Sequence, residues 1–423
     1  MKYRFYNAKI LVMEQSCSII EGEVWVDGSK IIYVGAEKES DICWDEEIDA
    51  EGNLLMPGFK NAHTHSGMTF LRSMADDLPL HEWLENRVFP LEARLTPEHV
   101  YHLSKLAIME YLTSGITSNF DMYFFPEAIA RASEECGFRT VLVSGATSFG
   151  GNTAKEMEEN YLRFNERPDL IRYCLGFHAE YTSETPLLQD IAALAQKLKA
   201  PVYNHNSETE ESVEMCIKRT GMTPTVFLDS LGMFEYGGGG YHCVHMSEED
   251  LRIFREKNLT AVINAGSNLK LASGVAPVHK MLGMGINLAI GTDGPASNNC
   301  LDMFREMFLV TGLAKVKEKD ASVVKAEDVL TMAVKNGARA MGIPDCDMLA
   351  EGKRADMIMI DLQQPNMQPL NQLAKNIVYS GSKSNIKMTM INGKILYENG
   401  RFHIGVSPKE VYENANRIVQ ELI

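Results

Sequence analysis

Eight short apolar segments, each followed by a stretch with helical periodicity, dominate the sequence between residues 57 and 348. They are centred on LLMPGFKNA, GITSNFDM, TVLVSG, YCLGFHA, PVYNHN, GGYHCVH, TAVINA and NLAIGTD. Segments such as PEHVYHLSKLAIMEYLTS and SEEDLRIFREKN separate them, and alternation of this kind is typical of a parallel sheet. Eight βα units predict an α/β fold of the (β/α)₈ (TIM) barrel type, with its functional site at the carboxyl ends of the strands. The alternative is a doubly wound open sheet, but no G-x-G-x-x-G follows the first candidate strand.

The two ends of the chain have a different texture. Apolar and polar residues alternate in KILVMEQ and EVWVDGSKIIYVGA near the start, and again in ADMIMIDL and IKMTMINGKILYENG near the end. Such segments, joined by Asp-Gly and Asn-Gly turns, predict short β-strands. We therefore expect a small β-sandwich built from residues 1–56 and 349–423, the latter ending in a helix, around a barrel of residues 57–348.

Charge and cysteine usage narrow the function classes. The 423 residues include 41 basic and 57 acidic side chains, a formal net charge of −16 that repels phosphate backbones and argues against nucleic-acid binding. The eight cysteines are scattered without a C-x-x-C pair, which predicts a reducing compartment. We find neither a signal-peptide core nor an apolar run long enough to span a bilayer, so a cytoplasmic protein with a small-molecule substrate and no membrane partner is expected.

Polar residues with metal-binding chemistry stand where several candidate strands end. They are His63 and His65 on the first, His178 on the fourth, His205 on the fifth, His242 on the sixth and Asp293 on the eighth. Because side chains alternate faces along a strand, His63 and His65 can chelate one ion. With His205 and Asp293 they would form a nitrogen-and-oxygen site suited to Zn²⁺ or Fe²⁺, leaving room for a water whose pKa the metal lowers.

Each of these residues also has a structural interpretation. A lone histidine is more often a hydrogen-bonded core residue than a ligand, and Gly-Thr-Asp-Gly is more often a turn. Their joint placement on strands one, five and eight favours the metal site. Glu208, three residues beyond His205, is the candidate proton shuttle, although with Glu210 and Glu211 it can equally begin the next helix. His242 is a candidate for polarising water or substrate.

In combination these segments resemble the amidohydrolase superfamily. MPGFKNAHTHSGMTFLRSMADDLPLHEWL, GFHAEYT, HNSET, HCVHMS, SNLKLASGVAPV, GTDGPASNN and EGKRADMIMIDL carry the resemblance. They are similar to the cytosine deaminase/chlorohydrolase branch, which contains 5'-methylthioadenosine and S-adenosylhomocysteine deaminases. The resemblance implies one divalent metal, usually zinc, held by His63, His65, His205 and Asp293. It further implies proton transfer by Glu208, His242 and Asp293, and substrate contacts from Trp83, Glu92 and His178.

Four positions depart from the pattern of that branch. Members acting on S-adenosylhomocysteine are expected to present arginines after strand three, where this chain has Ser144 and Glu156. Asn264 begins a segment that usually reads His-Asn-Pro, and Glu180 replaces a common proline. The absence of a basic residue at 144 and 156 argues against a substrate with a carboxylate-bearing tail. The changes at Asn264 and Glu180 favour the alternative of a free base, a pterin or an s-triazine.

The leading expectation is hydrolytic deamination of an aminopurine nucleoside, adenosine or a 5'-modified adenosine such as 5'-methylthioadenosine. The alternative is an amidohydrolase that deaminates or dechlorinates a free base, a pterin or an s-triazine. A catalytically silent metal-binding scaffold is the third hypothesis, but it requires a missing ligand or shuttle residue. The resemblance also makes a homodimer or higher homo-oligomer plausible.

Overall fold

A computed structural model describes residues 1–14, 17–74, 76–78, 80–150, 153–167 and 169–422. Its strands are β1 (Lys2–Leu11), β2 (Ile19–Asp27), β3 (Lys30–Gly35), β4 (Glu46–Asp49), β5 (Leu54–Pro57), β6 (Phe59–Thr64), β7 (Ile116–Met122), β8 (Arg139–Val143), β9 (Ile171–Ala179), β10 (Val202–Asn206), β11 (Gly238–His242), β12 (Thr260–Ile263), β13 (Asn287–Ile290), β14 (Met357–Ile360), β15 (Ile386–Ile391), β16 (Lys394–Glu398) and β17 (Arg401–Phe402).

The α-helices are α1 (Leu80–Trp83), α2 (Phe89–Glu92), α3 (Pro97–Thr113), α4 (Pro126–Cys136), α5 (Ala154–Asn165), α6 (Thr185–Leu198), α7 (Glu210–Thr220), α8 (Pro224–Ser230), α9 (Glu248–Glu256), α10 (Ala265–Lys270), α11 (Val278–Gly283), α12 (Met303–Glu318), α13 (Ala326–Thr331), α14 (Gly337–Ala340), α15 (Leu373–Tyr379) and α16 (Pro408–Leu422). A π turn at Leu84–Val88 joins α1 to α2, and a second at Met332–Asn336 joins α13 to α14.

Strands β6 to β13 form one parallel sheet in sequence order, with each strand paired to the next. Its last and first strands approach each other, and the backbone N–H of Asp293 donates to the carbonyl oxygen of His63 at 2.9 Å. The predicted fold class, a (β/α)₈ barrel with a smaller β domain, is confirmed.

The barrel strands are buried on both of their faces. Every residue of β7, β8, β10, β11, β12 and β13 is buried, as expected where helices pack outside and side chains fill the interior. Phe120, Tyr203, Tyr241 and Val262 belong to one buried cluster of the barrel strands. The ring of Tyr241 stacks on that of His63 at 3.7 Å between centroids and forms the floor of the site above.

The first predicted strand is wrong in its extent. The run LLMPGFKNA is not one barrel strand, because Leu54–Pro57 pairs antiparallel with β14 and Phe59–Thr64 pairs parallel with β7. Gly58 stands between them, where a Cβ would lie 2.1 Å from Cγ2 of Thr117. The chain therefore passes from one sheet to the other at a residue that tolerates this approach.

Strands from both chain ends form the second sheet, in the order β17-β16-β15-β14-β5-β1-β2-β3, with β4 also paired to β1. Strand β1 changes neighbours along its length, since Tyr3 to Tyr6 pair with β4 and Lys9 and Ile10 pair with β5. A register shift separates the two halves, and such irregularities let one strand serve two layers. Phe5, Ile10 and Met357 belong to a core that is separate from the barrel interior.

None of the described helices is long and apolar enough to cross a membrane. The domain boundaries at 56/57 and 348/349, the cytoplasmic location and the homo-oligomer stay predictions.

A buried ion pair ties the barrel to the smaller sheet. Arg139, on β8, donates from Nε to Oδ2 of Asp356 at 2.6 Å and from Nη2 to Oδ1 at 3.1 Å. Asp356 immediately precedes β14, and its Oδ1 also accepts from the backbone N–H of Asn392 at 2.7 Å. Both side chains are almost fully buried, so removal of one leaves the other uncompensated.

We expect Arg139→Met to lower the free energy of unfolding by about 3–5 kcal/mol, because Asp356 would remain charged and buried. Denaturant unfolding measures the change. The matched control is Arg252→Met, which removes an exposed guanidinium on α9 that pairs with Glu249 and Glu256 and should change stability little. Equal losses in the two variants would contradict this role for the buried pair.

Candidate metal centre and catalytic pocket

Four potential ligands converge at the carboxyl ends of the barrel strands. One ligand atom from each of His63, His65, His205 and Asp293 lies within 4.8 Å of the others. Nε2 of His63 is 3.5 Å and Nε2 of His65 is 3.2 Å from Oδ1 of Asp293. Strand β6 supplies His63 and the residue after it supplies His65, while His205 lies on β10 and Asp293 follows β13.

Backbone carbonyls orient two of the imidazoles. Nδ1 of His65 lies 2.5 Å from the carbonyl oxygen of Met122, and Nδ1 of His205 lies 2.7 Å from that of His178. A carbonyl oxygen only accepts, so the proton of each ring stands on Nδ1. The Nε2 lone pairs are left for the centre of the cluster, the arrangement usual for metal-ligating histidines.

The donor set fits a divalent metal ion. Both ring nitrogens of the fully buried His63 lack a hydrogen-bond partner among the described residues, an expensive state unless an ion engages one of them. Burial lowers the pKa of His63 to about 3 and that of His205 well below its usual value, so both rings are neutral. Three imidazoles and one carboxylate match the ligands that zinc prefers.

Asp293 is held as a carboxylate by several donors. Burial alone would raise its pKa, but the neighbouring His63 and His65 hold the pKa well below the usual range. Its Oδ1 accepts from the backbone N–H of Gly294 at 2.7 Å. Its Oδ2 accepts from the hydroxyls of Ser267 at 2.6 Å and Ser297 at 2.8 Å. One oxygen therefore faces the histidines, while the other faces a pair of hydroxyl donors.

His242 and Glu208 lie beside the ligand cluster. Nε2 of His242 is 3.8 Å from Oε2 of Glu208 and 4.0 Å from Oδ2 of Asp293. Nδ1 of His242 is 2.7 Å from Oδ1 of Asn268. The amide oxygen only accepts, so the proton stands on Nδ1 and Nε2 faces the two carboxylates.

The backbone is unusual at the strand ends that carry these groups. Ser207, His242 and Asp293 have φ of 51°, 70° and 59°, a region that residues with a Cβ adopt rarely. Such conformations persist where the surrounding structure fixes them, and they concentrate at functional sites.

Glu306 clamps the two segments that support Asp293. Its Oε2 accepts from the backbone N–H of Gly266 at 2.9 Å, and its Oε1 accepts from the side-chain amide of Asn298 at 2.8 Å. Gly266 precedes Ser267, and Asn298 follows Ser297. A Cβ on Gly266 would lie 2.3 Å from Oε1 of Glu306, so glycine is required for this close approach. Glu306 thus sets the positions of both serines that donate to Asp293.

A cavity of about 460 Å³ opens above the cluster. The predicted substrate residues Trp83, Glu92 and His178 all line it, together with His65, His205, Glu208, His242 and Asp293. Trp83 lies at the end of α1, beside the π turn, and Glu92 ends α2 on the same helical segment. The indole N–H of Trp83 has no hydrogen-bond partner among the described residues.

Glu92 is a buried acid beside a tyrosine. Its Oε1 accepts from the hydroxyl of Tyr123 at 2.6 Å, and burial raises the pKa of Glu92 to about 7. On the other side of the cavity, Nδ1 of His178 is 3.0 Å from Oγ1 of Thr182. Burial lowers the pKa of His178 to about 4, so its ring is neutral.

Two of the departures noted in the sequence lie outside the cavity wall. Glu180 is buried and forms an ion pair with Arg219 of α7, which ties the loop after β9 to that helix. Asn264 is buried at the N-cap position of α10, where its side chain makes no cap hydrogen bond with the described residues. Neither side chain is among the described residues that line the cavity, so neither departure alters the pocket directly.

Sequence reasoning missed the residues that support Asp293, which are Ser267, Ser297 and Glu306. It also missed Asn268, which contacts His242, and Tyr123, which contacts Glu92. Ser267 and Asn268 lie in the SNLKLASG segment, and Ser297 lies in GTDGPASNN. Both segments carried the family resemblance without an assigned role. Their small polar residues beside predicted strand ends were the available signal.

Comparisons with known proteins agree with this geometry. The model of the Amidohydrolase family matches residues 54–396. A 5-methylthioadenosine/S-adenosylhomocysteine deaminase of Caldanaerobacter subterraneus is 40% identical over 99% of this chain and 98% of its own length. A 5'-deoxyadenosine deaminase of Methanocaldococcus jannaschii is 38% identical over 95% of this chain and 96% of its own. A zinc-containing adenosine deaminase structure from Xanthomonas campestris superposes with a TM-score of 0.94 at 30% identity, covering 99% of this chain and 98% of that one.

The fold and the site define the class of protein as a (β/α)₈ barrel that gathers three histidines and an aspartate with metal-binding chemistry at the carboxyl ends of its strands. The comparisons make the assignment specific: the chain belongs to the amidohydrolase family.

The two hydrogen bonds that Glu306 accepts can be tested by substitution. Glu306→Gln keeps the volume but replaces one accepting oxygen with an amide that opposes a donor. We expect metal affinity or turnover to fall about 10–100-fold, as for other residues that orient ligands. Zinc content in the presence of a competing chelator, followed by ammonia release, measures the two effects.

The matched control for this prediction is Glu318→Gln, the same change at an exposed position of the same helix, α12. A Glu306→Gln protein that holds zinc and turns over like the control would show that the clamp is dispensable.

Proposed function

We propose that this protein is a zinc-dependent hydrolase that removes the 6-amino group of an adenine nucleoside as ammonia. The substrate is adenosine or a 5'-modified adenosine such as 5'-methylthioadenosine. The observation that carries the proposal is that one cavity brings together the ligand cluster, Glu208, His242 and Glu92. The named deaminases that are 38–40% identical over nearly the whole chain support the same reaction.

The proposed ligands are His63, His65, His205 and Asp293, and zinc is the metal found in the adenosine deaminase from Xanthomonas campestris. A divalent ion held there supplies a Lewis acid that lowers the pKa of a water ligand toward neutrality. The remaining chemistry belongs to the side chains around it.

Three groups move protons in the proposed reaction. As the oxygen of a water molecule bonds to C6 of the purine, Asp293 accepts one proton of that water. Glu208 donates a proton to N1 of the purine. Nε2 of His242 hydrogen-bonds the new oxygen substituent on C6. This nitrogen lies 3.8 Å from Oε2 of Glu208 and 4.0 Å from Oδ2 of Asp293.

The proton on Asp293 passes to the amino group, which leaves as ammonia with the electron pair of the C6–N bond. The hydroxyl proton on the C6 oxygen passes through Nε2 of His242 to Glu208 as the C6 carbonyl forms, which restores the proton that Glu208 gave to N1. General acid–base catalysis of this kind contributes about 10²–10⁴-fold.

Glu92 is proposed to bind the ribose hydroxyls. Its carboxylate accepts hydrogen bonds from two vicinal hydroxyls, while the Tyr123 hydroxyl fixes its orientation. A free base, a pterin or an s-triazine has no such diol. The relatives reported above are named for nucleoside substrates, so the alternative is not favoured, and a silent scaffold is disfavoured because every proposed ligand and shuttle residue is present.

Ammonia release from purified, metal-loaded protein tests the reaction. We expect release from adenosine or its 5'-modified derivatives and none from cytosine, a pterin or an s-triazine. Glu208→Gln should lower kcat by about 10²–10⁴-fold with unchanged zinc content, since it removes only the proton donor. Glu210→Gln, at the exposed start of α7, is the matched control. Release of ammonia from none of the adenine nucleosides would refute the proposal.

Glu92→Gln tests the contribution of Glu92 to nucleoside binding and, separately, to the stability of the protein. Loss of the charged acceptor should lower kcat/KM for nucleosides by about 10–100-fold, and a free-base enzyme would lose little.

The folded pKa of Glu92, raised to about 7, exceeds the value of about 4.3 in an unfolded chain. Folded protein therefore binds the extra proton between these values, so the contribution of Glu92 to stability falls as pH rises through this window.

Because glutamine does not titrate, the variant does not lose stability in this window. The free energy of unfolding of Glu92→Gln minus that of the parent should therefore be about 2 kcal/mol larger above pH 7 than at low pH. Denaturant unfolding at pH 5 and pH 8 measures this shift. A difference that is independent of pH would contradict the raised pKa of the buried Glu92 carboxyl group.

A further inference from the structure

The mouth of the cavity is lined by aromatic side chains. Phe89, Phe124, Phe125 and Phe149 all contribute to its wall. The rings of Phe89 and Phe149 meet edge to face at 5.9 Å between centroids. Phe149 is 69% exposed and Phe125 is 37% exposed, an unusual degree of exposure for aromatic residues next to a pocket.

These aromatic residues lie close to the proposed ribose position. Phe89 and Glu92 stand three residues apart on α2 and therefore share a face of the helix. The ring of Phe124 is 5.1 Å from that of Tyr123, whose hydroxyl donates to Glu92. With the purine at the metal cluster and the ribose at Glu92, the 5' carbon is directed to the aromatic mouth.

No lysine or arginine is among the described residues that line the cavity. Its carboxyl groups are those of Asp293, a proposed metal ligand, of Glu208, the proposed proton donor, and of Glu92, whose pKa burial raises to about 7. The positions after β8 do not supply a cation either. Ser144 is buried, and the carboxylate of Glu156 accepts from the backbone N–H of Thr153 at 2.8 Å as part of the cap of α5.

We propose that the pocket selects adenine nucleosides whose 5' substituent is uncharged and apolar, a methylthio group or a hydrogen, over those with a zwitterionic amino-acid tail. A thioether gains favourable contacts with aromatic rings. A zwitterionic tail at the same place meets aromatic rings and no lysine or arginine among the described lining residues, so its charges are partly removed from water without a counter-ion for the carboxylate. The inference rests on the proposed nucleoside deaminase function and specifies its substrate class.

Three substrates compared on the wild-type protein provide the first measurement. We expect kcat/KM for S-adenosylhomocysteine to be at least about tenfold below the values for 5'-methylthioadenosine and 5'-deoxyadenosine.

A positive charge introduced at the mouth of the cavity provides the second measurement. Phe149→Arg should raise the ratio of kcat/KM for S-adenosylhomocysteine to that for 5'-methylthioadenosine by about tenfold, since a guanidinium pairs well with a carboxylate. The matched control is Phe308→Arg, the same change at a residue of α12 that is 52% exposed and lies outside the cavity. The control ratio should match that of the wild type.

The outcomes separate this inference from the function on which it rests. Ammonia release from none of the three nucleosides defeats both. Use of S-adenosylhomocysteine within about threefold of 5'-methylthioadenosine defeats the substrate class and leaves the deaminase intact. A ratio that is the same in Phe149→Arg and Phe308→Arg defeats the electrostatic explanation.

Discussion

The hydrogen bond from the backbone N–H of Asp293 to the carbonyl of His63 joins the last strand of the barrel to the first. The two residues it connects are also two proposed metal ligands. The ligand cluster therefore forms when the barrel closes. Residues of the first and last barrel strands become neighbours only when these two strands lie side by side. An ion that binds this cluster stabilises the closed barrel, because the unfolded chain offers no equivalent site.

Order around the ligands comes from polar contacts that are dispersed along the chain. Carbonyls of β7 and β9 fix two imidazoles, two serines fix the outer oxygen of Asp293, and Glu306 fixes the segments that carry the serines. Each contact is individually modest, but together they set ring tautomers and carboxylate orientation before an ion arrives. This preorganisation explains how left-handed backbone at His242 and Asp293 is tolerated.

Sequence reasoning reached the fold and the ligand cluster because both rest on periodicity. Residues that end parallel strands share one rim of the sheet, so His63, His65, His205 and Asp293 could be grouped without coordinates. Glu306 could not be grouped with them, since it lies inside a helix and contacts the site only through Gly266 and Asn298. Glu180 was treated as a change in the pocket, yet its partner is Arg219 on a neighbouring helix. The strand LLMPGFKNA failed for a related reason: its apolar run continues across Gly58 although the pairing partner changes.

Reaction and substrate binding draw on the same cavity. The proposed chemistry needs a carboxylate that receives a proton, a carboxyl that delivers one and an acceptor for the ribose, roles assigned to Asp293, Glu208 and Glu92. None of these groups can serve as a counter-ion for a substrate carboxylate, and no lysine or arginine is among the described residues of the cavity wall. Aromatic rings such as those of Phe89 and Phe149 stand there instead, so a charged tail would lose water without gaining a counter-ion. The composition of this wall, rather than the residues that remove the amino group, therefore limits what the proposed substrate can carry at its 5' carbon.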